Sequence, residues 1–173
     1  MTDTPVNAVA EPEAVADPAP AFARYIEGCG NFTLRRMEPD ADGECVHDWV
    51  NRPYARYWGL SNTSVEEVRA AYREILAADH STAWMGFHEG RPAFVLETYR
   101  AAGDRIAGYY DVRPGDYGMH ILVGPPRQRI PGFTRHVFTV ILEFLFSDPA
   151  VERIVVEPDV NNEAIHKRNL DAG

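Results

Sequence analysis

Apolar and polar positions change period several times along the 173 residues, and each change marks a predicted element. FTLRRM (32–37) is short and β-rich and predicts a strand. ADGECVHDWVNRP predicts a first helix that stops before Pro53, because the residue preceding a proline is pushed out of the helical region. In SNTSVEEVRAAYREILAAD, Val65, Val68, Tyr72, Ile75 and Leu76 recur at helical spacing, and Ser64 with Glu67 three residues later is a capping box. TAWMGFHEGRPAFVLETY reads as a hairpin, two β-rich runs about His88-Glu89-Gly90-Arg91. AGYYDV (107–112) reads as a further strand edge, and YGMHILV (117–123) as the next strand. FTRHVFTVILEFLF follows as a helix, with Phe133, Val137, Val140, Ile141, Phe144 and Leu145 on one face and Phe138, Leu142 and Phe146 widening it. ERIVVEP (152–158) carries a continuous Ile154-Val155-Val156 run, as in a strand covered on both faces. A last helix spans about 162–172. The order is strand, two helices, three or four strands, helix, strand, helix. It predicts an α/β (α+β) domain in which an antiparallel meander meets a parallel crossover.

Composition bounds the picture further. Residues 1–24 are mostly Ala, Pro and acid and predict a disordered tail, leaving 25–173 as one domain. The net charge is −9, of which Asp3, Glu11, Glu13 and Asp17 supply −4. The remaining −5 offers no electrostatic footprint for nucleic acid. Cys29 and Cys45 show no paired spacing, so neither a disulfide framework nor a zinc site is expected, and a reducing cytoplasm is the expected location. The longest apolar run, VFTVILEFLF, is about half a membrane span and contains Glu143, so no membrane insertion is expected.

The candidate chemistry gathers at the ends of the last two strands. Strand alternation puts Gly118, His120 and Leu122 on one face, and Met119, Ile121 and Val123 on the other. His120 reads either as a hydrogen-bonded core histidine or as an acid or base lining a cleft. Downstream, Arg129-Ile130-Pro131-Gly132-Phe133-Thr134 opens a buried helix, where unpaired N–H groups and the helix dipole attract an anion. At the second strand end, Glu157-Pro158-Asp159-Val160-Asn161-Asn162 contains caps for the last helix. Asp159 can serve as such a cap or can face His120 across one cleft and orient its ring. Trp58 and Tyr57 suit either a core or the wall of an acceptor pocket. Glu97 is either a solvated strand carboxylate or a partner for a substrate ammonium. Asp116 suits that second role or shapes the Pro114-Gly115-Asp116 turn. The other histidines lack metal-ligand spacing, and no metal is expected.

The phrases WVNRP, YW, GRPAFVLETY, YYDVRPGDYGMHILVGP, FLFSDP and RIVVEPDVNN, with the R-x-x-G-x-T turn, resemble the GNAT superfamily of N-acyltransferases over about residues 32–173. They are most similar to its siderophore-biosynthesis branch. Within it, the acyltransferases of desferrioxamine assembly look nearest, and those of aerobactin and mycobactin assembly lie further off. The resemblance implies a GNAT fold, a mixed central sheet with splayed central strands flanked by helices. It implies acyl transfer from acyl-CoA (acetyl-CoA or succinyl-CoA) to a hydroxylamine nitrogen, most closely that of N-hydroxycadaverine. N6-hydroxylysine is the alternative acceptor, and a non-catalytic CoA-binding remnant is the alternative from outside enzymology. His120 and Asp159 are the implied active-site pair. The implied acyl-CoA residues are Leu122 and Val123 on the strand and Arg129, Gly132, Phe133 and Thr134 in the turn. Trp58, Glu97 and Tyr99 are the implied substrate residues.

Two positions depart from the family pattern. Thr134 stands where a glycine or alanine is usual, and Asn169 stands where many members carry a tyrosine acid. Relatives also continue beyond the glycine at 173 with two more strands, so a truncated product, with C-terminal strands missing, is expected. Completion of the sheet edge by a partner chain, as in a homo-oligomer, and a catalytically crippled chain are the other outcomes left open.

Overall fold

The computed structural model describes residues 20–126 and 128–172. Strands β1 (Phe22–Ile26) and β2 (Gly30–Arg36) lead into helices α1 (Pro39–Val50) and α2 (Val65–Ala77). Strands β3 (Ser81–His88), β4 (Arg91–Arg100) and β5 (Asp116–Val123) follow, then α3 (Phe133–Leu145), β6 (Arg153–Val155) and α4 (Glu163–Ala172). The six strands form one sheet in chain order, antiparallel from β1 to β5, with β6 parallel to β5. That is the expected meander plus crossover.

Alternation along the strands divides the interior into two cores. Phe32, Leu34, Phe94, Leu96 and Met119 face α3, where Val137, Phe138, Val140, Ile141 and Leu145 are buried. Ala83, Met85, Val95 and Leu122 face the other way, onto Val46, Val50, Val68 and Tyr72 of α1 and α2. The capping box of α2 is formed in both directions. Ser64 Oγ accepts from the Glu67 N–H at 3.3 Å, and the Glu67 carboxylate accepts from the Ser64 N–H at 2.6 Å. The β3–β4 hairpin turns through Glu89 (φ 49°) and Gly90 (φ 71°), the left-handed pair that a two-residue hairpin loop requires.

Three expectations are corrected. The strand β1 begins at Phe22, inside the segment assigned to the tail; residues 1–19 lie outside the described residues. Only its two ends, Phe22 and Ile26, pack against the core, so FARYI has no period-two signal to read. AGYYDV is not a strand. The Asp104 carboxylate accepts from the Ile106 N–H and starts a 3-10 turn, Arg105–Gly108. Because β4 pairs directly with β5, no sheet edge is left there for that segment to join. The third correction is β6, which pairs over only three half-buried residues, while Val156 is 37% exposed. The helix α4 beside it buries none of its own residues, so the Ile-Val-Val run is not covered on both faces.

Candidate active site

The pairing of β5 with β6 stops at Gly118 opposite Val155, yet β5 continues to Val123. From Met119 onward β5 therefore has a strand neighbour only on its β4 side. Pro158 has no N–H to extend the ladder. The strands splay, and a cleft of about 500 Å³ opens at the divergence. Its closed end is held by Asp116, which is buried at the start of β5. The Asp116 carboxylate accepts from Arg153 Nε (2.8 Å) and Nη2 (2.6 Å) on β6, from the Tyr110 hydroxyl (2.9 Å) and from the Arg113 N–H (2.9 Å). Arg153 foremost holds its carboxyl well below the usual carboxylate range. Of its two readings, Asp116 takes the structural one.

His120 is half-buried in the cleft wall between two carboxylates. Its Nδ1 lies 3.1 Å from Glu97 Oε2 and its Nε2 3.5 Å from Glu157 Oε1. Glu97 is directly opposite His120 in the β4–β5 register, so the two side chains leave the same face of the sheet. An ionised carboxylate only accepts, so Nδ1 carries the proton in that hydrogen bond. Burial alone would lower the His120 pKa, but the Glu97 hydrogen bond and charge, then those of Glu157, outweigh it and raise it above 6.5. The Tyr99 hydroxyl donates to Glu157 Oε2 at 3.3 Å, and its ring lies 5.2 Å from the imidazole. Burial first, then the Glu157 charge, pushes that phenol far above its ordinary range, so Tyr99 remains a donor. Trp58 presents an edge-on ring 6.4 Å from His120.

Asp159 lines the same cleft but is not the partner of His120. Its carboxylate accepts from the Asn161 N–H (2.8 Å) and side-chain amide (3.0 Å), forming the turn before α4. The family resemblance implied a His120–Asp159 pair and a substrate role for Glu97, while the residues alone left Asp159 open as a cap and Glu97 as a solvated carboxylate. The side-chain contacts put Glu97 against the ring and Asp159 in the turn. Glu157, two residues before Asp159, was missed as a site residue. The only sequence signal for it was its place at the end of a strand beside His120's own. Asn169 lines the cleft as well. Tyr57 does too, its hydroxyl donating to the Asn161 carbonyl at 3.1 Å.

At the far end of β5, Leu122 lines the cleft and Val123 follows it. Gly132 caps α3 in the left-handed region (φ 73°), with no side chain capping the helix. Arg129 is exposed beside it, and Thr134 is half-buried. The Phe133 ring packs against Phe32 and His88, and its N–H donates to the Ile130 carbonyl at 3.2 Å. A strand edge left open on one side, followed by an uncapped helix N-terminus, suits an extended amide-bearing ligand with a phosphorylated end. Among the described residues no group of three or more His, Cys, Asp or Glu is placed to hold a metal ion, and no helix is long and apolar enough to cross a membrane.

Residues 38–173 match the family model described as the acetyltransferase (GNAT) domain. The chain belongs to the GNAT family. Among curated GNAT relatives, the N(6)-hydroxylysine O-acetyltransferase of Escherichia coli is 31% identical over 144 residues, covering 82% of this chain and 45% of that protein. The lysine N-acyltransferase MbtK of Mycobacterium sp. (strain MCS) is 30% identical, covering 87% and 61%. The N-hydroxyputrescine acetyltransferase of Acinetobacter baumannii is 27% identical, covering 88% and 73%. The chain thus spans less than two thirds of the length of the first two. The solved aminoglycoside acetyltransferase AAC(6')-Ib in complex with coenzyme A superposes with a TM-score of 0.71 at 25% identity, over 82% of this chain and 83% of that one.

Proposed function

We propose that this GNAT domain is an acyl-CoA-dependent N-acyltransferase that acylates the hydroxylamine nitrogen of an N-hydroxylated diamine, N-hydroxycadaverine, making a hydroxamate in siderophore assembly. The observation that carries this reading is the charge of the cleft wall. Among the described residues, Glu97, Glu157 and Asp159 line it against one guanidinium, Arg105, which already faces Glu157 at 3.8 Å. An N-hydroxydiamine brings an ammonium and no carboxylate, and an acidic wall suits it. N6-hydroxylysine adds an α-carboxylate, for which the wall offers, among the described residues, only the engaged Arg105. Arg52 is paired with Asp48 and Arg56 lies over the Tyr57 ring, and neither lines the cleft. Two relatives, named for action on N6-hydroxylysine and on N-hydroxyputrescine, support a hydroxylamine acceptor.

In this reading acetyl-CoA or succinyl-CoA lies along the free edge of β5 at Leu122 and Val123, with its pyrophosphate at the Arg129–Thr134 turn. Trp58 walls the acceptor's alkyl chain, and Tyr99 holds Glu157 in that wall. The hydroxylamine nitrogen is already neutral at pH 7, so it attacks the thioester carbonyl without prior deprotonation. As the C–N bond forms, its N–H proton passes to His120 Nε2. The C–S bond then breaks, and CoA leaves as thiolate. A backbone N–H on the free edge of β5 is the available donor to the oxyanion.

The test supplies the full chain with acetyl-CoA or succinyl-CoA and, in turn, N-hydroxycadaverine, N6-hydroxylysine, cadaverine and lysine. Thiol release and the colour of the ferric hydroxamate are both followed. Hydroxamate from N-hydroxycadaverine, with little turnover of plain amines, is expected. Comparable rates on cadaverine would overturn the hydroxylamine assignment, and preference for N6-hydroxylysine would overturn the diamine. Thiol release without ferric colour would move the acyl group to oxygen.

A further inference from the structure

The β4–β5 register carries an inference beyond that assignment. We propose that Glu97 is the positioning residue for His120: it holds the imidazole by Nδ1–H and turns Nε2 into the cleft beside Glu157, where the acceptor's N–H would arrive, while Asp159 is left to the substrate. The pairing rests on the reading of His120 as the base. It departs from a His120–Asp159 pair, the arrangement expected from the sequence.

Three observations support it. Glu97 and His120 are direct cross-strand partners on adjacent antiparallel strands, so their approach is fixed by the sheet rather than by a loop. The contact is 3.1 Å and the Glu97 side chain is only 16% exposed, whereas the Asp159 carboxylate is exposed and occupied by Asn161. A carboxylate accepting from Nδ1–H leaves the second nitrogen bare, which is the tautomer a base needs. The acceptor's N–H proton then moves to Nε2, and the resulting imidazolium carries one positive charge between Glu97 and Glu157.

The groups that face the imidazole can be named from every side. Glu97 and Tyr99 come from β4, Glu157 from the segment after β6, and Trp58 from the loop before α2. Arg105 approaches only through Glu157. Tyr72 of α2 is buried behind Glu97; burial first, and then the Glu97 charge, keeps it a neutral phenol. Glu97 and Glu157 are thus the two groups whose charge stabilises the imidazolium directly, and Glu97 makes the closer contact, 3.1 Å against 3.5 Å.

The experiment compares Glu97→Gln, Glu97→Leu and Asp159→Asn in the full chain, with two readouts. One is the pH dependence of kcat/KM. The other is the NMR titration of the His120 ring, which needs no substrate. Gln keeps an acceptor for Nδ1–H but removes the charge, so both the acid limb of the profile and the ring titration should move to lower pH. Leu removes the acceptor as well and should lose roughly 100-fold in kcat. Asp159→Asn should raise the KM for the acceptor and leave both the limb and the titration in place. A ring that titrates in Glu97→Gln as in the wild type, or one displaced by Asp159→Asn, would overturn the pairing. If no hydroxylamine is acylated but the ring titration still moves in Glu97→Gln, the pairing stands and the functional reading fails.

Discussion

His120 between two carboxylates sets what its own substitution should do. As the base, it works only when Nε2 is free of its proton, and Glu97 and Glu157 raise the pH at which that happens above 6.5. kcat/KM should therefore still be climbing as pH passes the ordinary imidazole range. His120→Ala should remove that limb and lower turnover by at least ~100-fold. A thiol-release profile of both proteins checks this, and an unchanged rate in the variant would return His120 to a packing role. The residue types at the site were largely legible in the sequence, because His120, Glu97, Tyr99 and Glu157 all stand in strand or strand-end phrases. Their partnerships were not. The segment between β4 and β5 spans residues 101–115, too long for a tight turn to fix the register. Nothing in the sequence therefore says that residue 97 meets residue 120.

At the scale of elements, β4 and β5 fit because Gly118 lies opposite Tyr99. A Cβ at Gly118 would overlap the Tyr99 ring, which is 5% exposed and cannot easily swing aside. Gly118→Ala should cost about 1–3 kcal/mol by overpacking. It should also loosen the Tyr99–Glu157 hydrogen bond. Urea denaturation measures the first effect, and a weakened KM for the acceptor reports the second; a variant as stable as the wild type would show that the ring relaxes freely. The helices were the more legible elements. α2 and α3 carry long periodic faces, and α2 adds a local capping box. The short elements went wrong where tertiary neighbours decided them. β1 is an edge strand with one packed residue at each end, and the AGYYDV segment turns because Asp104 caps it and no sheet edge is free.

For the whole molecule, the cleft depends on strands that are clamped at one end and parted at the other. Asp116 and Arg153 make the clamp. Because Arg153 holds the Asp116 carboxyl below its unfolded value, its contribution is present above about pH 4 and is lost as pH falls through the depressed folded pKa. Asp116→Asn should thus melt at a lower temperature at neutral pH, with the gap to wild type closing as the solution is acidified below about pH 4. Thermal denaturation across pH tests this, and a gap that persists undiminished in acid would argue that the charge is not the stabilising feature. The sequence by itself determined the order of the helices and of the strands from β2 onward, the mixed sheet, the strand-then-turn phrase and the GNAT resemblance, because each is written in local periodicity or in contiguous motifs. Only the tertiary structure decided that β6 stops pairing at Val155, that the clamp lies at Asp116, and that His120 is held by Glu97 and faced by Glu157 rather than by Asp159. Those outcomes depend on register and on strand divergence, which couple residues 23 and 37 positions apart and leave no trace in local spacing.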